Sequence, residues 1–360
     1  MTYFLLILSL FAWPFGQLLA FSVPGFSINI YLLDLLVGLL TISLVLSPLA
    51  WKKVASDTLF RPLMYFNLIA GLSLLVNLQT LITSATAHSI LYLARLFAYP
   101  SVYFAAKLFP PKKTISPVIF SFILFCILGV LQYLRFPDMR YLKLVGFDDH
   151  YFRLIGSLYD PNFTGAILAA ASLFFIALSN WAASLPLIVL LALTFSRASY
   201  LSFALGMVYL LVKDKKYPLI LFLVGLTILV WLIPKPFGEG VNLFRTFSIF
   251  SRLDSWESGM SLFVQKPLFG WGYNTLRDLT GSRFQIDNSY LYVAVTTGLL
   301  GLVFYIRLLM KCLRGLLLPK KVFLYVLFIH SLFNNSLFFI WINFAFWIVL
   351  ALPVREYKED

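Results

Sequence analysis

The feature that most constrains this chain is the recurrence of long apolar runs. They lie near 3–21, 28–48, 62–82, 88–108, 115–133, 162–180, 182–195, 196–213, 217–234, 289–309, 322–334 and 336–352. A bilayer crossing by an α-helix takes about 17–25 apolar residues. Because a chain in lipid must satisfy its own backbone, such runs read as helices. The expected fold is therefore all-α: a polytopic membrane protein of about twelve transmembrane helices. The last two runs total about 31 residues, about 46 Å of helix against about 60 Å for two crossings. One long tilted helix and two broken ones both fit them; His330, Asn334 and Asn335 at the break suit a re-entrant tip.

Composition agrees. Of 360 residues, 61% are hydrophobic and 12% charged, where a soluble domain carries about 25% charged residues. That excludes a soluble enzyme. The net charge of +13 would suggest nucleic acid in a soluble protein. Here the basic residues sit in short loops, so they report topology and not a nucleic-acid partner. Two cysteines, Cys126 and Cys312, make no disulfide or zinc framework. The first run lacks a basic flank and a small-residue cleavage site, and is expected to remain as a span.

Lys52, Lys53 and Arg61 follow the second run; Lys107, Lys112 and Lys113 the fourth; Lys213, Lys215 and Lys216 the eighth; Arg307, Lys311, Arg314, Lys320 and Lys321 the tenth. All four loops share one side if the N-terminus is cytoplasmic. Residues 134–161 and 235–288 then become external loops, capping a single membrane domain of residues 1–360. The C-terminal REYKED falls inside if the last break is real.

The longest polar interval, Arg245 to Gly301, carries the chemistry. Ser251 with Asp254 three residues on suits a helix start. Leu253, Trp256, Met260 and Phe263 follow at helical spacing, an interfacial amphipathic pattern with Arg252 one turn before Trp256. Pro267 ends it and Gly270-Trp271-Gly272 turns the chain. Asp287-Asn288 then leads into the tenth run, where Asp287 suits an N-cap and Gly298 and Gly301 suit close packing.

Other polar residues fall on the same outer face. Arg197, between two apolar runs, is costly there unless it lines a wet cavity, finds a partner or snorkels. With Arg245 and Arg252 it forms a set suited to phosphate, because a guanidinium matches phosphate oxygens bidentately. Arg153, His150, Asp148 and Asp149 cluster in the first long loop; without a second histidine or a DxD spacing they do not make a metal site. Asp160-Pro161-Asn162 suits a helix N-terminus. Arg95 and Asp34 lie within runs and either pair or leave Arg95 facing the cavity.

The order SRASYL, SRLDSWESGMSLFVQKPLFGWGYNTL and DNSYLYVAVTTGLLGLVFY, with GSLYDPNFTGAILAA before it, resembles the O-antigen ligase/polymerase family of bacterial surface-glycan enzymes. The resemblance implies a metal-independent, inverting, lipid-dependent membrane glycosyltransferase without cofactor, working on the outer face of the bacterial inner membrane. The donor would be a glycan on undecaprenyl diphosphate. In the polymerase branch the acceptor is the sugar hydroxyl of a second lipid-linked repeat unit. Arg197 and Arg252 match the family's diphosphate-holding arginines. Asp287 stands where the family's ligases carry histidine, and as a carboxylate can serve as general base. These three are the expected catalytic set; Arg245, Arg153, Asn288, Tyr290, Glu257 and Trp256 are the expected substrate-binding set. Membrane lipid, a flippase and a chain-length regulator are implied partners. A ligase acting on another lipid or protein acceptor is the alternative, and a lipid or polysaccharide transporter is the alternative from another class, although no internal repeat of the transporter kind is visible.

Overall fold

A computed structural model of the chain describes residues 1–22, 29–78, 83–214, 219–233, 239–276 and 285–353. It is mostly helical (78%). Each apolar run is a helix over much of its length. In chain order these are α1 (Thr2–Ala12), α2 (Leu32–Val45), α3 (Pro48–Ser56), α4 (Phe60–Asn77), α5 (Thr83–Ala98), α6 (Ser101–Leu108) and α7 (Pro111–Arg135). The chain continues through α8 (Pro161–Ala177), α9 (Trp181–Leu193), α10 (Arg197–Asp214), α11 (Leu219–Leu232), α12 (Phe247–Gln265), α13 (Ser289–Leu313), α14 (Leu318–His330) and α15 (Ile340–Ala351). A short antiparallel hairpin pairs Ala20–Ser22 with Asn29–Tyr31, in the register Ala20↔Tyr31. Lys215, Lys216 and REYKED lie outside the described residues.

Among the described residues, three helical stretches are long and apolar enough to cross a membrane: Thr2–Leu19, Pro111–Arg135 and Ser289–Leu313. α2 and α3 meet the same test as a pair bent by 96°. The other helices are shorter or, like α4 and α10 with 18 residues each, not apolar enough. The expected span over 88–108 is two helices, because Pro100 has no amide to continue α5. The last two runs are separate helices. α14 ends at His330, and Lys320 near its start donates to the Leu350 carbonyl near the end of α15, 2.9 Å. The two therefore run antiparallel around a turn at 331–339.

Hydrogen bonds sort the helix ends into two groups. Thr2 meets Ser43, the Tyr3 hydroxyl donates to the Lys113 carbonyl, and Lys107 pairs with Asp57, joining the ends that carry the basic loops. At the other end, Gln17 donates to the Leu158 carbonyl, the Leu154 amide to the Leu193 carbonyl, and the Ser289 amide to the Ser331 carbonyl. α8 is the hub. Its small residues from Gly165 through Ser172 are buried against α9, α10 and α14. A Cβ at Gly165 would stand 2.5 Å from the Ser199 hydroxyl, so α8 and α10 touch almost backbone to backbone.

Within the membrane the Arg95–Asp34 question is answered: Arg95 pairs with Asp34 through Nε at 3.0 Å and Nη2 at 2.6 Å, and the Tyr99 hydroxyl completes the carboxylate at 2.9 Å. Arg95 therefore ties α5 to α2.

Candidate functional site

The helix α12 positions the site. It begins at Phe247 with Thr246 in the N-cap position, five residues before the expected cap, so Ser251 is an interior residue and no capping box with Asp254 forms. At about 100° per residue, Arg252, Ser255, Trp256, Gly259 and Phe263 share one face, where Ser255 and Gly259 are buried. Small residues there bring α12 close to Leu291 and Ile286. Of the expected apolar stripe, Trp256 and Phe263 fall on this docked face, while Leu253 and Met260 are half exposed. With Ile249, Phe250 and Val264 they form a second, outward apolar face beside the polar Asp254, Ser258 and Ser261. The helix thus has one docked face and an amphipathic remainder suited to lie in a membrane interface.

The turn after α12 locks into α13. Gly298 has φ +70°, ψ −173° and breaks α13. Its freed geometry lets the Leu299 amide donate to the Pro267 carbonyl at 2.7 Å, while the Trp271 and Gly272 amides donate to the Val295 and Thr296 carbonyls at 2.9 and 3.0 Å. Gly270, at φ +68°, would drive a Cβ into the backbone of Thr296 and Thr297. Gly298 therefore breaks the span at a φ that favours glycine, and the expected close packing is present as well: a Cβ there would collide with the Leu268 carbonyl.

Four arginines meet around this frame. Arg153 and Arg245 share the Phe195 carbonyl, at 3.2 and 3.3 Å, and Arg153 also donates to the Thr194 carbonyl at 2.9 Å. Arg197 donates to the Arg245 and Leu243 carbonyls (2.7 and 3.1 Å) and to the Ser248 hydroxyl (2.6 Å). Arg252 donates to the Ser248 and Phe333 carbonyls at 3.3 and 2.8 Å and faces the Asn334 side-chain oxygen at 3.5 Å. None forms an ion pair among the described residues. Phe195 itself sits at φ +49°, a costly value for a non-glycine residue.

The electrostatics follow. Burial, then the neighbouring Arg245 and Arg197 charges outweighing the pull of Asp160, push Arg153 down to about 9. Burial and then Arg197 and Arg252 push Arg245 down to about 10. Arg252 is lowered by burial, partly offset by Asp287 and Asp160. His150, pushed down to about 3 by burial and the Arg153 charge, is neutral, and its buried Nε2 has no partner among the described residues.

Two carboxylates border the arginines. Asp160 caps α8, accepting from the Asn162 and Phe163 amides at 2.6 and 3.2 Å; burial raises it to about 6 despite those bonds and Arg153. Asp287 is raised by burial, with Arg252 pulling the other way. It is not the helix cap. Asn288 caps α13, its side-chain oxygen accepting from the Tyr290 and Leu291 amides at 2.9 and 3.0 Å. An extended Asn288 is the residue whose oxygen reaches those amides. Asp287 is held by its backbone: its amide donates to the Ser255 hydroxyl (3.0 Å) and its carbonyl accepts from Trp256 Nε1 (3.2 Å). Its carboxylate accepts no hydrogen bond from the described residues.

The structure thus brings Arg252, Trp256, Asp287 and Asn288 together, and Arg197, Arg245 and Arg153 beside them. Tyr290 points into the protein, donating to the Phe328 carbonyl at 2.9 Å. Glu257 is on the exposed side of α12, away from Arg252. Sequence reasoning did not connect the turn at 330–336 with Arg252. His330 is fully buried, with Nδ1 2.6 Å from the Ser336 hydroxyl and Nε2 facing Ser199 and the Asn334 amide at 3.3 and 3.4 Å. The Asn334 amide thereby turns its oxygen to Arg252. The signal was His330-x-x-x-Asn334 at a helix end. Among the described residues no group of three or more His, Cys, Asp or Glu side chains gathers as for a metal ion.

Residues 182–306 match the O-Antigen ligase family. The match covers α9 through most of α13, including Arg197, Arg245, Arg252, Asp287 and the Gly270–Gly298 lock. No curated protein matches the chain.

Proposed function

We propose, from the premise that residues 182–306 are a domain of the O-Antigen ligase family acting on lipid-linked glycans, that this protein polymerises lipid-linked repeat units. Glycan passes from undecaprenyl diphosphate to the sugar hydroxyl of another lipid-linked unit. The observation carrying the reading is four guanidiniums held on neutral carbonyls with no carboxylate partner among the described residues, next to one carboxylate, Asp287, that accepts no hydrogen bond from those residues. Such a set receives an anion without first breaking ion pairs.

In this reading Arg197 and Arg252 hold the donor diphosphate and offset the charge that builds on it as it leaves. Asp287 takes the proton from the attacking hydroxyl, while the C–O bond to undecaprenyl diphosphate breaks at the anomeric carbon with inversion. Arg153 and Arg245 bind substrate phosphate beside them, and Trp256 offers its ring to sugar. Asn288 serves through its cap on α13. The helices too short to cross alone act as broken or tilted spans, bringing the total to about twelve, with 134–161 and 235–288 as an external cap. The site then faces outward from the inner membrane, with a flippase supplying substrate and a chain-length regulator acting on the product.

The test is turnover of a purified undecaprenyl-diphosphate-linked glycan by the full chain. Polymerase activity yields a ladder on lipid-linked acceptor alone. A ligase needs a different acceptor, and a transporter leaves the glycan–diphosphate bond intact. Arg197→Lys and Arg252→Lys are expected to lose most of the ladder, because an ammonium lacks the planar fork. Normal ladders in both would overturn the diphosphate assignment.

A further inference from the structure

The end of the molecule away from the arginines holds a cavity of about 380 Å³ between α3, the turn at Asp57 and the end of α6. That volume falls within the usual range of small-molecule sites, about 300–1,000 Å³. Its charged walls are Lys53, Lys107 and Asp57. Asp57 is already committed. Its Oδ1 accepts from the Leu59 amide at 2.9 Å and its Oδ2 from Lys107 at 2.5 Å, with the Tyr103 hydroxyl beside both oxygens. Asp57 thus fixes the Lys107 ammonium in place. Lys53 is exposed and has no ion pair among the described residues. The lining carries a net positive charge with one lysine fixed and one free.

The surroundings give the cavity a level. α3 leaves α2 at 96°, so if α2 crosses the bilayer, α3 lies along its surface. Leu49, 82% exposed, and Trp51, 40% exposed, sit on α3 beside Lys52 and Lys53. An in-plane helix with exposed Trp and Leu next to lysines is the arrangement of a bilayer interface. Val54 and Phe104 line the cavity as apolar wall, and its neutral polar groups are the hydroxyls of Thr58 and Ser56, the latter donating to the Lys53 carbonyl.

We propose that this cavity binds the phosphate headgroup of an anionic phospholipid. The phosphodiester lies between the Lys53 and Lys107 ammonium groups, the Thr58 hydroxyl donates to it, and the acyl chains leave over Val54 and Phe104. Basic pockets between helices at the cytoplasmic surface suit such headgroups. The site is independent of the glycan reaction and stands or falls without it.

The test uses the full chain, delipidated in detergent, with added phosphatidylglycerol, phosphatidylcholine or inorganic phosphate. Native mass spectrometry reads retained lipid and thermal unfolding reads protection. Phosphatidylglycerol is expected to be retained and to raise the melting temperature with concentration; phosphatidylcholine and millimolar inorganic phosphate are not. Lys53→Met keeps the apolar stem and is expected to weaken phosphatidylglycerol binding about fivefold, the worth of one lysine near an anionic surface. Lys52→Met, outside the cavity lining, is expected to leave it unchanged. Equal retention of both lipids overturns the site. Equal protection by inorganic phosphate assigns the cavity to a soluble anion and overturns the lipid. Equal loss in the Lys52 and Lys53 variants reduces the effect to surface charge and overturns the cavity.

Discussion

Replacing Asp287 by asparagine separates a proton-accepting role from a structural one. The structure bounds the stability cost. The backbone bonds from the Asp287 amide to Ser255 and from Trp256 to the Asp287 carbonyl, 3.0 and 3.2 Å, do not involve the side chain. The cap of α13 belongs to Asn288. The carboxylate accepts no hydrogen bond from the described residues and is raised by burial, so its replacement by a neutral near-isostere breaks no bond and is expected to leave the melting temperature near neutral pH unchanged or higher. The catalytic cost is much larger. A general base contributes about 10²–10⁴-fold, or about 3–5 kcal/mol of barrier. The assay is release of undecaprenyl diphosphate, or the glycan ladder, at matched membrane expression. Wild-type turnover is expected to fall as pH drops through the raised range of Asp287, because only the ionised base accepts a proton; the variant's residual rate should lack that limb. Asn288→Ala is the comparator: it removes the cap, at about 1 kcal/mol, and is expected to keep most of the rate. A wild-type rate in Asp287→Asn, or an equal loss in Asn288→Ala, would refute the base assignment.

Gly298→Ala is expected to deplete folded protein: strain at this φ costs about 1–3 kcal/mol, and the Leu299, Trp271 and Gly272 bonds are put at risk at about 1 kcal/mol each; a detergent thermal melt reads it. Asn334→Asp sets a carboxylate against Arg252 and should raise the donor KM with little change in melting temperature; an unchanged KM would show that the 330–336 turn does not hold Arg252 for the donor. Asp160, at about 6 in the folded protein, stands above the roughly 3.9 of an unfolded aspartate. Its stabilising contribution is full below about pH 4 and lost as pH rises through about 6. Asp160→Asn keeps the cap, so it should melt higher than wild type near about pH 7.5 and alike near about pH 4; equal melting at both would refute the shift. Turnover is expected to persist in excess chelator, and complete loss restored by magnesium or manganese would count against metal independence.

The helices were legible because lipid leaves a chain few choices: among the described residues every apolar run is helical over much of its length. Their ends were less legible, since they turn on single residues whose effect depends on neighbours. Pro100 splits one run because its ring ends α5, whereas Pro117 and Pro186 lie inside helices that continue. Gly298 read as a packing glycine and packs against the Leu268 carbonyl, but apolar residues on both sides hide its φ of +70°; that angle goes with the Pro267–Gly272 turn 26 residues upstream of it at the nearest. The Asp287–Asn288 cap failed by one residue for a similar reason. Either side chain can cap, and the choice was made by Ser255 and Trp256, which fix the Asp287 backbone.

The arginines show what sequence could not supply. Placement on the outer face and the family resemblance pointed to Arg197, Arg245 and Arg252, but not to what they rest on. A buried arginine paired to a carboxylate, as Arg95 is to Asp34, has its charge matched and serves as a tie. The outer arginines rest instead on carbonyls of Thr194, Phe195, Gly240, Leu243 and Phe333, which orient guanidiniums without neutralising them. Burial lowers Arg153, Arg245 and Arg252, and repulsion from neighbouring arginines adds to it for Arg153 and Arg245. An incoming dianion would relieve the repulsion, so its binding should be stronger than that of the same arginines spread over a wet surface. The carboxylates stay at the rim for the same reason. A carboxylate salt-bridged to Arg252 would neutralise the clamp, while Asp287, desolvated nearby and accepting no hydrogen bond from the described residues, leaves the clamp positive and keeps its own basicity.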